Sequence, residues 1–273
     1  MAADALVEPV PGAPAATAAL GGETALVIAD YHAGIEVGLR YERGVELASA
    51  ADERRERVLD LLARTGADRL VVLGDFGHRI GETSGAERDE IGALLDSLAV
   101  PVTLALGNHD PGVVEAFGDR LDVTPADGAR IGDVGVLHGH TWPAPEVLTA
   151  DVVCMGHEHP AVRLADDVGG TRVERAWLRG PLAREAFVGE VAGLDERGGP
   201  RDVADGVAGA GSEDGSGWRS PELVVFPAFN ERSGGTWVNV DGQSFLSPFL
   251  PDGLERGEAY LLDGTRLGDY RSV

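Results

Sequence analysis

Residues 151–160 read DVVCMGHEHP: an apolar run, Val152 to Met155, that stops at Gly156 and then presents His157, Glu158 and His159. The chain has only seven histidines, so two of them one residue apart at the tip of a buried strand ask for a chemical reason. The same grammar recurs upstream. TALVIADYH (24–32), RLVVLGDFGH (69–78), PVTLALGNHD (101–110) and IGDVGVLHGH (131–140) each pair a short Val/Leu/Ile/Ala run with a tip of Gly, Asp, Asn or His. Such runs suit strands buried on both faces.

Helical signals fall between them. In the segment 46–68, Val58, Leu59, Leu61 and Leu62 form an apolar stripe that Gly66 closes, and GAERDEIGALLDSL (85–98) reads as a second helix. Alternating strands and helices predict an α/β chain with a largely parallel sheet. TRVERAWLRG (171–180), ELVVFPAFN (222–230) and EAYLLDG (258–264) are predicted strands of a second sheet. The Ala/Pro/Gly-rich residues 1–22 read as a floppy N-terminal tail, since they lack the basic start of a signal peptide. Residues 189–221, rich in Gly, Asp and Ser, read as a flexible acidic insertion within a single domain spanning 23–273.

Composition narrows the setting. Acidic residues outnumber basic ones 46 to 23, a net charge of -23, and every basic residue is arginine. An acidic surface without lysine suits a cytoplasm of molar salt, where self-repulsion is screened; the competing reading is an acidic module for a basic partner. At molar salt phosphate contacts weaken for any protein, so the charge does not exclude a nucleic-acid substrate. A lone Cys154 rules out an intrachain disulfide, and no apolar stretch reaches the ~18 residues of a membrane span. A cytoplasmic location is expected.

The strand tips carry the chemistry. In a parallel sheet the carboxyl ends share one edge, where ligands bind. If the i and i+2 residues at a strand end share a side, Asp30/His32 and His157/His159 each present two ligands together. Asp, Asn and His form a mixed oxygen–imidazole set suited to Mn²⁺, Zn²⁺, Fe²⁺ or Co²⁺ more than to Ca²⁺ or Mg²⁺. Each fragment alone is weak; GNHD is the sharpest, and the ordered set of five is what argues for a metal site.

In order and content, DYH, GD, GNHD, H and GHEH resemble the calcineurin-like metallophosphoesterase superfamily over about residues 24–160. The fuller pattern, including G-D-x-x-H at 74–78 and FPAFNERSGGTWVN at 226–239, is similar to the archaeal SbcD-like (ICC-like) and bacterial DNA-ligase-associated phosphoesterases. The resemblance implies a two-sheet β-sandwich flanked by helices, the αββα metallophosphoesterase fold. It implies two divalent ions, with Mn²⁺ the first expectation. One would be held by Asp30, His32, Asp75 and His159, the other by Asp75, Asn108, His138 and His157, with Asp75 bridging. His109 would face the phosphoryl oxygens or leaving group as a catalytic residue. His78 would support catalysis, in a slot where relatives of nuclease type carry histidine and phosphoprotein phosphatases an aspartate. His140, Asp110 and Glu158 would stand behind the ligands, and Asn230 and Arg232 are weaker candidates for substrate contact.

The chemistry so implied is in-line attack on phosphorus by a hydroxide shared between two cations. Three readings stay open at this point: a phosphodiesterase, including a nuclease acting on single-stranded nucleic acid; a phosphomonoesterase of nucleotides or phosphoproteins; and a metal-stabilised binding module. Oligomeric state is not legible in the sequence.

Overall fold

The computed structural model describes residues 5–166, 168–191, 194 and 218–273. Two sheets face each other. The first runs in the order β1 (Val7–Pro9), β2 (Ala15–Leu20), β3 (Glu23–Ile28), β4 (Arg69–Val72), β5 (Val102–Ala105) and β6 (Asp122–Thr124). The second holds β7 (Ala129–Ile131), β8 (Val134–Leu137), β9 (Val152–Met155), β11 (Thr171–Pro181), β12 (Glu222–Val225), β13 (Glu258–Leu261) and β14 (Arg266–Asp269), and β10 (Ala161–Ala165) pairs with β11. Strands β3 to β6 are mutually parallel, as are β8, β9 and β12; the remaining pairings are antiparallel.

Alternation along each strand explains why the central runs are apolar throughout. In β3 and β4, Ala25, Val27 and Val71 point into the space between the sheets, while Leu26, Ile28, Leu70 and Val72 point the other way. Against that outer face lie Val58 and Leu61 of α2 (Ala51–Thr65) and Ile91, Leu94 and Leu95 of α3 (Gly85–Ser97). In the second sheet, Val136, Cys154 and Val224 fill the inter-sheet space with Trp177 and Phe226, and Leu137, Val153, Met155 and Val225 face outward. That outer face is covered by Phe187, Val191, Phe249 and Leu250 from loops and 3₁₀ turns. All four α-helices of the described residues, including α1 (Ile35–Arg43) and α4 (Pro111–Phe117), fall in the first half of the chain. Cys154 is fully buried, and burial pushes its thiol up to about 12.

Two expectations change. Residues 7–20 are not a loose tail but the edge hairpin β1–β2, with Ala16, Ala18 and Leu20 buried between the sheets. Alanine fits there because the neighbouring strands leave little room. The five tips also do not belong to one parallel sheet: β8 and β9 lie in the second. The tips still meet because the parallel strands of both sheets end at the same rim of the sandwich, as the contacts below show. The proposed flexible insertion, 189–221, falls mostly outside the described residues. No helix among the described residues is long and apolar enough to cross a membrane.

Candidate metal centre

The site is built from loops that leave the strands, not from the strands themselves. β3 ends at Ile28 and β9 at Met155, so Asp30, His32, His157 and His159 all lie beyond regular structure. Each has a positive φ: Asp30 54°, His32 47°, His157 67° and His159 45°, with Asp75 at 49°. Ser220 is the only other described non-glycine residue in that region. A left-handed conformation costs a non-glycine residue on the order of 1–3 kcal/mol. Strain is thus concentrated on five of the candidate ligands. Two glycines make room for the remaining crowding. A Cβ on Gly74, itself at φ +73°, would come 2.3 Å from the ring of His138, and one on Gly107 would come 2.4 Å from the amide nitrogen of Asp75. These glycines make room for the ligands themselves.

The donor atoms fall into overlapping groups: Asp30, His32 and His159; Asp75, His138 and His157; and His32, Asp75 and His109. In the first, His159 Nε2 is 3.1 Å from Asp30 Oδ1 and 3.3 Å from His32 Nε2, with Asp75 Oδ2 3.9 Å from His32 Nε2. In the second, His138 Nε2 lies 3.3 Å from Asp75 Oδ1, 3.2 Å from Asn108 Oδ1 and 3.1 Å from His157 Nδ1. Asp75 therefore faces both groups, one oxygen to each. The expected i, i+2 pairing holds for Asp30 and His32 but fails for His157 and His159. His159 joins Asp30 and His32, and His157 joins Asp75 and His138.

Tautomers decide what these groups can bind. His32 Nδ1 lies 3.3 Å from Gly77 O, His138 Nδ1 2.8 Å from Leu73 O, and His159 Nδ1 2.7 Å from Gly234 O. A carbonyl only accepts, so each Nδ1 carries the proton and each neutral ring turns an Nε2 lone pair inward. His32 and His159 then direct lone pairs at each other and cannot hydrogen-bond. Donors about 2.1 Å from a common cation and roughly 90–109° apart lie about 3.0–3.4 Å from one another, which is the spacing found around both His159 and His138. The residues present fit two divalent cations.

Electrostatics divide the rings: His32 and His157 are held neutral, whereas the carboxylates favour protonated His138 and His159. Burial and the neighbouring His159 hold His32 down to about 3, and burial with His138 holds His157 down to about 4, so both rings are neutral and ready to ligate. Burial opposes charge on His138 as well, but Asp75 and Asp30 outweigh it and raise that ring to about 9, so a cation bound there must displace the Nε2 proton that faces Asp75. Burial likewise opposes ionisation of Asp75, yet His138, His32 and His109 keep its carboxyl well below the usual carboxylate range.

The surrounding residues are braces. Asp110, fully buried, accepts from the amides of Phe76, Gly77 and Gly107 and so ties the GD loop to the GNHD loop. Burial and Asp75 raise its carboxyl to about 6. Glu158, also buried, turns away from the centre and accepts from the amides of Leu246 and Ser247. Asn230 Nδ2 donates to the carbonyls of Tyr31 and His32, and Gly234 O fixes His159. Asn230 is 1% exposed, so it holds the Asp30–His32 loop and is closed off from substrate. Arg232 is likewise committed, to Glu36 and to Ala48 O. Sequence reasoning gave Asn230 and Gly234 no bracing role, because their contacts join segments far apart in the chain.

His109 Nδ1 rests on His78 O, its amide donates to Asp75 Oδ1 at 3.1 Å, and its Nε2 lies 3.7 Å from Asp75 Oδ2. His78 belongs to none of the donor groups. Its ring stacks on His109 with centroids 6.1 Å apart and packs against Gly38 of α1. The polar link from 78 to His109 is a main-chain carbonyl, which any residue type could supply. His140 packs beside His138 and His157, with ring centroids 5.3 and 6.1 Å away.

No curated protein is significantly similar in sequence to this chain. Among solved structures, Pseudomonas putida nuclease MPE is similar at 18% identity, covering 96% of this chain and 100% of that one, with a TM-score of 0.53. YfcE, a phosphoesterase from E. coli, shows 22% identity over 52% of this chain and 73% of that one, with a TM-score of 0.32. The profile of the calcineurin-like phosphoesterases matches residues 24–181, more than half of the chain and every loop of the centre up to His159. The chain belongs to the calcineurin-like phosphoesterase family and is a phosphoester hydrolase.

Proposed function

We propose that the chain is a dimetal phosphodiesterase of nuclease type, with Asp30, His32, His159 and Asp75 around one divalent ion and Asp75, Asn108, His138 and His157 around the other. The observation that carries this reading is the pair of donor sets, with contacts of 3.1–3.3 Å around His159 and His138, and Asp75 between them, Oδ1 3.3 Å from His138 Nε2 and Oδ2 3.9 Å from His32 Nε2. When bound, two such ions supply Lewis acidity at the phosphoryl oxygens and a nucleophilic hydroxide near neutral pH. Mn²⁺ suits the mixed nitrogen and oxygen donors.

The chain's own residues orient and protonate. His109 is held through Nδ1 by the carbonyl of His78, so its Nε2 is free to hold a proton for the leaving oxygen and to meet the developing charge. His78 stacks against that ring and restricts its rotation. His140 flanks the second donor set as a packing partner. Asp110, Asn230 and Glu158 keep the loops in place, so that the geometry exists before substrate arrives.

A diester, and specifically a nucleic-acid strand, is favoured by the G-D-x-x-H segment at 74–78. It is also favoured by the fold shared with a Pseudomonas putida nuclease over nearly the whole of both chains. With a net charge of -23 and no lysine, the enzyme is suited to a cytoplasm of high salt. The test is turnover by the Mn²⁺-loaded protein, at molar KCl, of bis(p-nitrophenyl) phosphate and p-nitrophenyl phosphate side by side. Preference for the diester is expected. Preference for the monoester would replace this reading with a phosphomonoesterase, and no turnover of either would leave a metal-stabilised binding module.

A further inference from the structure

A groove opens beside His159, and its lining includes Arg175, Ser233, Gly234, Gly235 and Trp237. Trp237 is 38% exposed, whereas Trp177 is 1% exposed and Trp142 and Trp218 are half-buried. The exposure is imposed by the backbone. Ala161 N donates to Thr236 O at 2.9 Å and Val238 N to Ala161 O at 3.0 Å. Thr236 and Val238 turn inward and are buried, and the residue between them must point out. The indole is thus displayed on a rigid strap, not left on a loose loop. Along the groove floor, Gly234 and Gly235 carry no side chain, and a Cβ on Gly235 would press on His159 O at 2.6 Å. The hydroxyl of Ser233 is buried beside them with no hydrogen-bond partner.

The charge of the groove says which part of a ligand it suits. Arg175 is spent on Ala228 O and Glu231, and Glu174 lies alongside. In a chain with 46 acidic and 23 basic residues, little positive charge is left to follow a phosphate backbone, and high salt weakens such contacts further. Stacking of a neutral base on an aromatic face has no such salt dependence and tolerates any base.

Resting on the phosphodiesterase reading, we propose that Trp237 is a stacking platform for the base of a nucleotide flanking the scissile phosphate, and that the preferred substrate is a single strand. In a duplex the base faces are covered by their neighbours; in a single strand they are free to meet the indole. Trp237 is a specificity-determining residue here, separate from the metal ligands.

The test compares two substrates with the same backbone: a decamer of thymidylate and a decamer of abasic tetrahydrofuran units, each cleaved by the Mn²⁺-loaded protein. Wild type is expected to favour the thymidylate strand, and Trp237→Ala to lower the ratio of kcat/KM values, thymidylate over abasic, about tenfold, mainly through KM. Trp237→Phe is expected to keep most of that ratio. Indole fluorescence of wild type should be quenched by the thymidylate strand and that quenching lost in Trp237→Phe. An unchanged ratio in Trp237→Ala overturns the proposal, as does equal cleavage of the two strands by wild type. Turnover of bis(p-nitrophenyl) phosphate with no cleavage of either strand sinks this inference and leaves the phosphodiesterase standing; no turnover of any diester sinks both.

Discussion

Two buried polar clusters lie within one helix turn of each other along the chain, and they are built on opposite plans. Behind the Asp30–His32 loop, Arg54 of α2 makes paired hydrogen bonds to Glu36 of α1 and to Glu90 of α3, between 2.6 and 3.1 Å. Glu90 also accepts from Gly34 N, and Arg232 adds a second cation at Glu36. Two arginines meet two glutamates, every carboxylate oxygen has a donor, and formal charge sums to zero. The metal centre has the reverse character. Two carboxylates and four imidazoles crowd together with donors 3.1–3.3 Å apart, and the inward ring nitrogens of His32 and His157 carry no proton of their own. A buried polar cluster is stable when it is satisfied. The first cluster is satisfied by the chain alone, whereas the second needs cations from outside. A closed cluster fixes helices, and an open one is a site.

The contrast can be broken at either end. The largest effect expected is on turnover from His109→Ala, which removes the proton donor and leaves both proposed ligand sets intact. Diester hydrolysis should fall about 10²–10⁴-fold while the bound metal is unchanged; loss of metal in parallel would make His109 a ligand, as its place in the His32–Asp75–His109 group allows. Next comes Arg54→Met, which strands Glu90 in the interior and leaves Glu36 with Arg232 as its one cation. A loss of about 3–5 kcal/mol of stability is expected in urea unfolding, with no change in metal content. Its pH dependence follows from Glu36. Burial alone would raise that carboxyl, but the Arg54 hydrogen bonds and Arg232 hold it below its ordinary 4.5. A depressed carboxyl stabilises the fold above its unfolded pKa and loses that contribution as pH falls through the folded one. The gap between wild type and Arg54→Met should therefore narrow below about pH 4.5. The smallest effect concerns strain. With His159 at φ 45°, metal-free His159→Gly should unfold at higher urea than metal-free His159→Ala, by about 1 kcal/mol. Equal stabilities would mean that the loop relaxes when the ring is gone.

The two clusters also differ in how far the sequence discloses them. The donors of the centre sit in short signatures at strand tips, so DYH, GD, GNHD, HGH and GHEH could be read directly, and α2 and α3 followed from their apolar stripes. Glu36, Arg54 and Glu90 look like ordinary helix-surface charges in a chain full of them; nothing local says that they are buried. Sheet membership was also hidden, because β8 and β9 are apolar on both faces whichever sheet they join. Ala16 and Ala18 were too small to read as core, although both are buried between the sheets. The braces at Asn230, Gly234 and Glu158 act through main-chain partners brought together only by the fold.

The central claim, one carboxylate shared between two cations, is tested most directly by counting metal. Wild type titrated with Mn²⁺ at molar KCl, dialysed and assayed by elemental analysis, is expected to hold two ions per chain. Asp75→Ala, with the shared carboxylate removed from both sets at once, should hold fewer and lose diester turnover. Two ions retained by Asp75→Ala, or none taken up by wild type, would contradict the account.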